Sequence, residues 1–381
     1  MRLIARNNCT KQLEFLFNVN PVVAILGPRQ CGKTTLARLY ADSLQKSILY
    51  LDLEDTHDLQ RLDNPFLTLD ESYDLIIIDE IQRRAEFFPT LRVLVDQRRD
   101  KQKFLILGSA SRDLIQQSSE TLAGRISYME LTPFTYPEVS DINLLWLQGG
   151  FPNAYLAKSV EISWEWRKAY IATFLERDIP NLGITIPHQI LRRFWMMIAH
   201  YHGNIFNASE IGKSLGIAHT TAREYLNILT GTFMLRELIP WFENINKRQI
   251  KSPKIYFRDS GIYHYLLGIP NKTSLINHPK LGASWEGFAL ESIIRHHQAY
   301  PEEVYFWGIH NQAELDLLII KNGKKYGFEF KYSDNIQMTA SMKIAIEYLI
   351  LDELTIIYPG NKNYRLSEKI KVSGLAEYLQ Y

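Results

Sequence analysis

Gly27-Pro28-Arg29-Gln30-Cys31-Gly32-Lys33-Thr34 is the stretch whose reading decides the fold. It fits the Gly-x4-Gly-Lys-[Ser/Thr] phosphate loop in full. Its flanks agree: the apolar run Val22 to Leu26 reads as a strand, and Thr35-Leu36-Ala37-Arg38-Leu39 reads as a helix. A glycine-bearing turn between strand and helix lets several backbone N–H groups face one anion, and the helix start adds its partial positive charge. Gly27 to Thr35 are therefore the expected contacts to ATP or ADP. Lys33 would reach the β and γ phosphates, and the Thr34 hydroxyl would help to hold Mg²⁺. Without those flanks the same glycines would mean an ordinary strand-to-helix turn.

Outward from the loop, Leu75-Ile76-Ile77-Ile78-Asp79-Glu80 runs from apolar residues into two acids, a Walker B pattern. An unbroken apolar run suits a central parallel strand covered on both faces, and open α/β sheets bind ligands at the carboxyl ends of such strands. Asp79 would bind Mg²⁺, directly or through water, and Glu80 would polarise the attacking water. A third strand is expected over Lys103 to Ser109, ending in Ser109, which is similar to the polar sensor of the γ-phosphate in AAA-type ATPases. Arg125, in Leu122-Ala123-Gly124-Arg125, offers a cation for an arginine finger, in its own site or a neighbouring subunit's, or is a solvated surface charge. Alternating strand and helix patterns from residue 20 to residue 110 predict a doubly wound parallel sheet.

Taken with Gly-Ser-Ala-Ser at 108–111, these motifs resemble a bacterial and archaeal AAA-type ATPase family whose members carry a C-terminal domain known as DUF4143. The resemblance extends to Leu131-Thr132-Pro133-Phe134, Glu176-Arg177-Asp178, Tyr256 to Gly261 and Trp285-Glu286-Gly287-Phe288. It implies an ATPase module, a helical and winged-helix middle, and an end related to the PD-(D/E)xK nucleases. The boundaries expected are 1–160, 161–250 and 251–381.

The C-terminal residues support the nuclease-like reading independently. Ala313 to Ile320 and Lys325 to Lys331 read as strands joined at Asn322-Gly323, a strong hairpin signal. Alternation places Glu329 and Lys331 on one face, and a suitable register would bring Asp316 beside them. Two carboxylates and an ammonium could then hold Mg²⁺ or Mn²⁺ and position a water against a phosphodiester. Glu286, on an expected helix from Ser284 to His297, is a further ligand candidate. An exposed Glu-x-Lys pair can equally be a cross-strand ion pair. The usual leading Pro-Asp is replaced here by Glu314-Leu315-Asp316.

Between these parts, Asn207 to Ile217 followed by Ala218 to Leu229 reads as a helix-turn-helix, with Ser209 as a cap and a strand-like Phe233 to Trp241 as a wing. Its second helix has one arginine, Arg223, beside Glu224, few cations for a duplex DNA partner. A protein-docking role is the alternative. Trp164, Trp166, Phe174, Phe194 and Trp195 at helical spacing suit a core better than base stacking.

Forty-three basic and forty-two acidic residues leave a formal charge of +1, so nothing in the bulk charge draws the chain to nucleic acid. The clearest basic cluster is Lys247, Arg248, Lys251 and Lys254. Two cysteines, Cys9 and Cys31, exclude a disulfide framework and fit a reducing compartment. Near Lys33, Cys31 could be activated, though a tolerated small residue fits better. No signal-peptide pattern or membrane-span run is found, so a cytoplasmic location is expected. The resulting expectation is an Mg²⁺-dependent ATPase, acting as a monomer, a homo-oligomer or with a protein partner. The alternatives are a nucleotide-gated nuclease and a non-catalytic ATP switch that reorients the winged helix.

Overall fold

Val22–Leu26 forms strand β1, and no polar residue interrupts it because both of its faces are covered. Alternate residues serve opposite cores. Val22, Ala24 and Leu26 pack with Ile76, Ile78, Phe104 and Ile106, whereas Val23 and Ile25 pack with Ile77, Leu105 and Leu107. The computed structural model describes residues 3–98, 101–109, 120–242, 252–309 and 312–380. Strands β2 (Ile48–Asp52), β3 (Leu75–Asp79), β4 (Lys103–Gly108) and β5 (Ile126–Glu130) complete a parallel sheet in the order β2-β3-β4-β1-β5. The doubly wound sheet expected from the sequence is present.

Parallel register gives this sheet two unlike edges. Leu26 pairs with Gly108, Ile78 with Ile106 and Asp52 with Asp79, so the carboxyl ends of β1 to β4 line up. Gly27, Asp79 and Ser109 therefore sit along one edge. At the opposite edge the Val22 N–H donates to the Arg125 carbonyl at 3.1 Å.

The chain divides into two compact units, Met1–Pro133 with Gly231–Phe233, and Phe134–Thr230 with Met234–Tyr381. The helical part of the second unit has an aromatic core in which Phe194 and Trp195 are fully buried and Phe174 nearly so, which removes them from base stacking. Helix Ala208–Leu215 is capped by Asn207, whose side chain accepts the Glu210 N–H at 3.2 Å. This corrects the expected cap at Ser209: Asn207 has the extended backbone that a cap needs, and Ser209 is already inside the helix. Gly216, at φ 70°, ends that helix in the left-handed region, and helix His219–Gly231 follows. Strands β6 (Asn204–Ile205), β7 (Leu235–Leu238) and β8 (Lys254–Phe257) form an antiparallel sheet beside them, with β7 shorter than the expected wing strand.

The C-terminal sheet is mixed, in the order β13-β14-β12-β11-β10-β9, from β9 (Val304–Ile309), β10 (Ala313–Lys321), β11 (Lys324–Phe330), β12 (Glu353–Tyr358), β13 (Asn363–Arg365) and β14 (Ile370–Gly374). Asn322 and Gly323, at φ 53° and 74°, make the two-residue turn between β10 and β11. Of the expected basic cluster, Lys247, Arg248 and Lys251 lie outside the described residues, as do Ala110 and Ser111 and the expected boundary at 250. Lys254 lies within β8 and is 5% exposed, so it is not a solvated surface charge.

Candidate nucleotide site

The loop after β1 requires its two glycines for different reasons. A Cβ on Gly27 would lie 2.1 Å from the Leu131 carbonyl oxygen, so the chain can cross the end of β5 only without a side chain. Gly32 has φ 100° and serves as N-cap of helix Lys33–Ser43, a backbone state that favours glycine. Lys33, nearly buried, donates from Nζ to the carbonyls of Gly27 at 3.0 Å and Pro28 at 2.9 Å, so its ammonium lies across the loop itself. Cys31 is fully buried, and its thiol donates to Leu131 O at 3.3 Å. Burial pushes that thiol's pKa up, against the pull of Lys33, which favours the inert small-residue reading.

Asp79, at the carboxyl end of β3, is the hub. Its Oδ2 accepts the Thr34 hydroxyl at 2.7 Å and the Tyr50 hydroxyl at 2.7 Å, and its Oδ1 accepts the Glu80 N–H at 3.0 Å. The carboxylate is 3% exposed, so these charge-assisted bonds replace water and fix its orientation. Tyr50 comes from β2, beside β3, and its phenol pKa is pushed up by burial and by the bond to Asp79. The Arg38 guanidinium stands 5.1 Å from the centre of its ring.

Glu80 turns the chain sharply, at φ 54°. A non-glycine residue there costs about 1–3 kcal/mol, and such strain gathers at functional sites. Burial raises the Glu80 carboxyl pKa, while Lys33 and Arg29 oppose the shift. Arg29 Nη2 lies 2.5 Å from Glu54 and 3.8 Å from Glu80 Oε1. Gln82 donates from Nε2 to Glu80 Oε2 and to Ser109 Oγ, the latter at 3.1 Å. Lys33, Thr34, Asp79, Glu80 and Ser109 are thus linked along one sheet edge. Tyr50, Glu54 and Gln82 join them without any motif having marked them.

Among the described residues no group of three or more His, Cys, Asp or Glu side chains is placed to hold a metal. This donor set fits Mg²⁺ all the same, because that ion keeps several waters and takes one or two protein oxygens together with phosphate. The bonded Thr34 hydroxyl and Asp79 carboxylate are such a pair.

Arg125 is a correction for a site within one subunit. It precedes β5 at the opposite edge, and a five-residue strand at about 3.3 Å per residue sets it roughly 16 Å from the loop. Its guanidinium is engaged there by Asp96, at 2.5 and 3.1 Å, and by the Ala123 carbonyl at 2.9 Å.

In the second unit, the β9–β10 pairing slips one residue between Leu315 and Leu318, the stretch that contains Asp316. Asp316 Oδ2 accepts the Phe330 N–H at 3.0 Å, and Lys331 pairs with Glu329 at 2.9 Å. Glu286, on helix Leu281–His296, accepts the Tyr256 hydroxyl at 2.7 Å, and Lys254 is bonded to Glu314. Burial, then the Asp316 charge, pushes the pKa values of Glu286 and Glu329 well above the carboxylate range. The four expected residues therefore form one electrostatic cluster, with Lys254 and Tyr256 added. Arg223 is tied to Glu237 on β7 at 2.7 Å.

The model of the AAA domain family AAA_14 matches residues 19–140, and domains of unknown function DUF8612 and DUF4143 match 139–273 and 281–378. Uncharacterised proteins of Mycobacterium tuberculosis and Mycobacterium bovis are each 46% identical over 370 residues, 97% of this chain and 83% of theirs. A solved Walker-type ATPase of Pyrococcus abyssi shares the fold at 14% identity, with a TM-score of 0.50 over 70% of this chain and 96% of that one. No helix among the described residues is long and apolar enough to cross a membrane.

Proposed function

This chain belongs to the family of AAA-domain proteins that end in a DUF4143 domain, and we propose that it is an Mg²⁺-dependent ATPase working through the edge of its parallel sheet. The observation that carries the reading is the direct bond from the Thr34 hydroxyl to Asp79 Oδ2, which joins phosphate loop and acidic strand at one point. Lys33 would leave the carbonyls of Gly27 and Pro28 for the phosphate oxygens, exchanging two neutral acceptors for charged ones. Glu80 would take the proton of the attacking water, and Ser109 would donate to a γ-phosphate oxygen. A bound metal contributes neutralisation of the charge on the β and γ oxygens. Arg125 is left to act on a neighbouring subunit's site or on none. The test is phosphate release by the full chain: Lys33→Ala and Glu80→Gln should abolish it, and turnover by both variants would refute the assignment.

A second activity is favoured by one observation, the bond from the Phe330 N–H to Asp316 Oδ2, which holds that carboxylate at the end of β11 beside Glu329 and Lys331. We propose there a PD-(D/E)xK-like centre for cleaving a nucleic-acid strand. Mutual repulsion of its buried carboxylates is the condition a divalent cation would relieve. Glu329→Ala with Lys331→Ala should remove Mn²⁺-dependent nicking of plasmid DNA and leave ATP turnover intact. Plasmid left uncut by the wild-type chain with Mn²⁺ and ATP would end this reading alone. For the middle helices, the tie between Arg223 and Glu237 favours protein docking over DNA.

A further inference from the structure

We infer that Gln82 is a positioning residue for ATP hydrolysis, one that sets the water-facing carboxylate of Glu80 and the phosphate-facing hydroxyl of Ser109 with a single carboxamide. The inference rests on the ATPase reading and adds a residue that no motif marked. Gln82 begins where the left-handed turn at Glu80 ends, and the neighbouring Ile81, fully buried in the core under the sheet, anchors that turn. The side chain is consequently returned toward the sheet edge, where it bridges the ends of β3 and β4.

The chemistry of the two acceptors fixes which way the carboxamide faces. An ionised Glu80 only accepts hydrogen bonds, so the NH₂ end of Gln82 must point to it. The second N–H goes to Ser109 Oγ at 3.1 Å. That bond occupies an acceptor position of the serine and leaves its own O–H free to donate, which is what a γ-phosphate oxygen needs. The carbonyl oxygen Oε1 is then turned away, buried and without a hydrogen-bond partner among the described residues. Both donors of the carboxamide are thereby committed to Glu80 and Ser109, and its oxygen takes no part in the bridge. One side chain would thus orient the base and the sensor.

The experiment compares the full chain with Gln82→Met, which keeps the side chain's length and removes its donors and acceptor, and with Gln82→Ala as a second variant. Three quantities are read: kcat and KM for ATP, the affinity for Mg²⁺-ADP, and the affinity for Mg²⁺-ADP with aluminium fluoride, which imitates the phosphoryl group under attack by water. We expect kcat to fall about hundredfold in both variants with KM for ATP little changed, the range typical of lost proton-transfer positioning. Affinity for the aluminium fluoride complex should fall with kcat, while ADP affinity stays at the wild-type value. A kcat kept by both variants overturns the inference and leaves the ATPase reading standing. So does an equal loss of ADP and aluminium fluoride affinity, which would mark a merely structural role. Absence of turnover by the wild-type chain overturns the ATPase reading and this inference together.

Discussion

Replacing Tyr50 with Phe removes one hydroxyl from the site and leaves its ring in place, so the ring's contact with Arg38 at 5.1 Å is kept. The hydroxyl donates to Asp79 Oδ2 at 2.7 Å, the same oxygen that the Thr34 hydroxyl reaches at 2.7 Å. With it gone, Asp79 is held on that side by Thr34 alone, the group that must itself turn to the metal. A hydrogen bond to a charged acceptor contributes about 1.5–3 kcal/mol. At about 1.4 kcal/mol per tenfold, this corresponds to roughly 10- to 100-fold in metal retention, the range seen when a partner behind a metal ligand is removed. The assay is ATP turnover by Tyr50→Phe across a Mg²⁺ titration, with ADP affinity measured separately in EDTA. Half-saturating Mg²⁺ should rise about tenfold or more, and ADP affinity without metal should not change. A Mg²⁺ requirement equal to or below that of the wild type would refute the claim that Tyr50 orients Asp79.

Gly27→Ala places a methyl 2.1 Å from the Leu131 carbonyl, backbone against backbone. Its thermal midpoint should fall, with a loss of about 1–3 kcal/mol as for overpacked sites; an unchanged midpoint would mean that β5 yields without cost. Glu291 is 3% exposed in the second unit, and although burial alone would raise its pKa, Arg236, Arg258 and Arg295 hold it down to about 2. Because the folded value lies below the ordinary 4.5, its stabilisation is complete above that pH and fades as pH falls toward 2. Glu291→Gln should cost about 3–5 kcal/mol at neutral pH by removing the buried negative charge that these three guanidinium groups face. In urea unfolding the difference from wild type should shrink on acidification, and a constant difference would contradict the assigned ion pairs.

The phosphate loop and the acidic strand were legible because each depends on backbone that its own residues dictate. Glycines stand at Gly27, where another backbone passes, and at Gly32, where φ is positive, and the apolar run before Asp79 is the strand itself. Tyr50 and Gln82 carry no such mark. Tyr50 meets Asp79 only because β2 pairs with β3, and Gln82 reaches Ser109 only because Glu80 turns the chain back. Arg125 illustrates the same limit in reverse. Its neighbours in sequence suit a finger, but a residue just before a parallel strand falls at the edge away from the ligand, and that depends on β5 pairing with β1. In the C-terminal sheet the Asn322-Gly323 turn was readable from two residues. The placing of Asp316 at the end of β11 depends on how β10 pairs with its neighbours.

The most direct test of the central claim is calorimetric titration of Mg²⁺-ADP into the full chain and into Lys33→Ala. The account predicts one nucleotide bound per wild-type chain and binding at least tenfold weaker, about 1.4 kcal/mol or more, in Lys33→Ala. No heat of binding with well-folded wild-type protein, or equal affinity in the two chains, would contradict it.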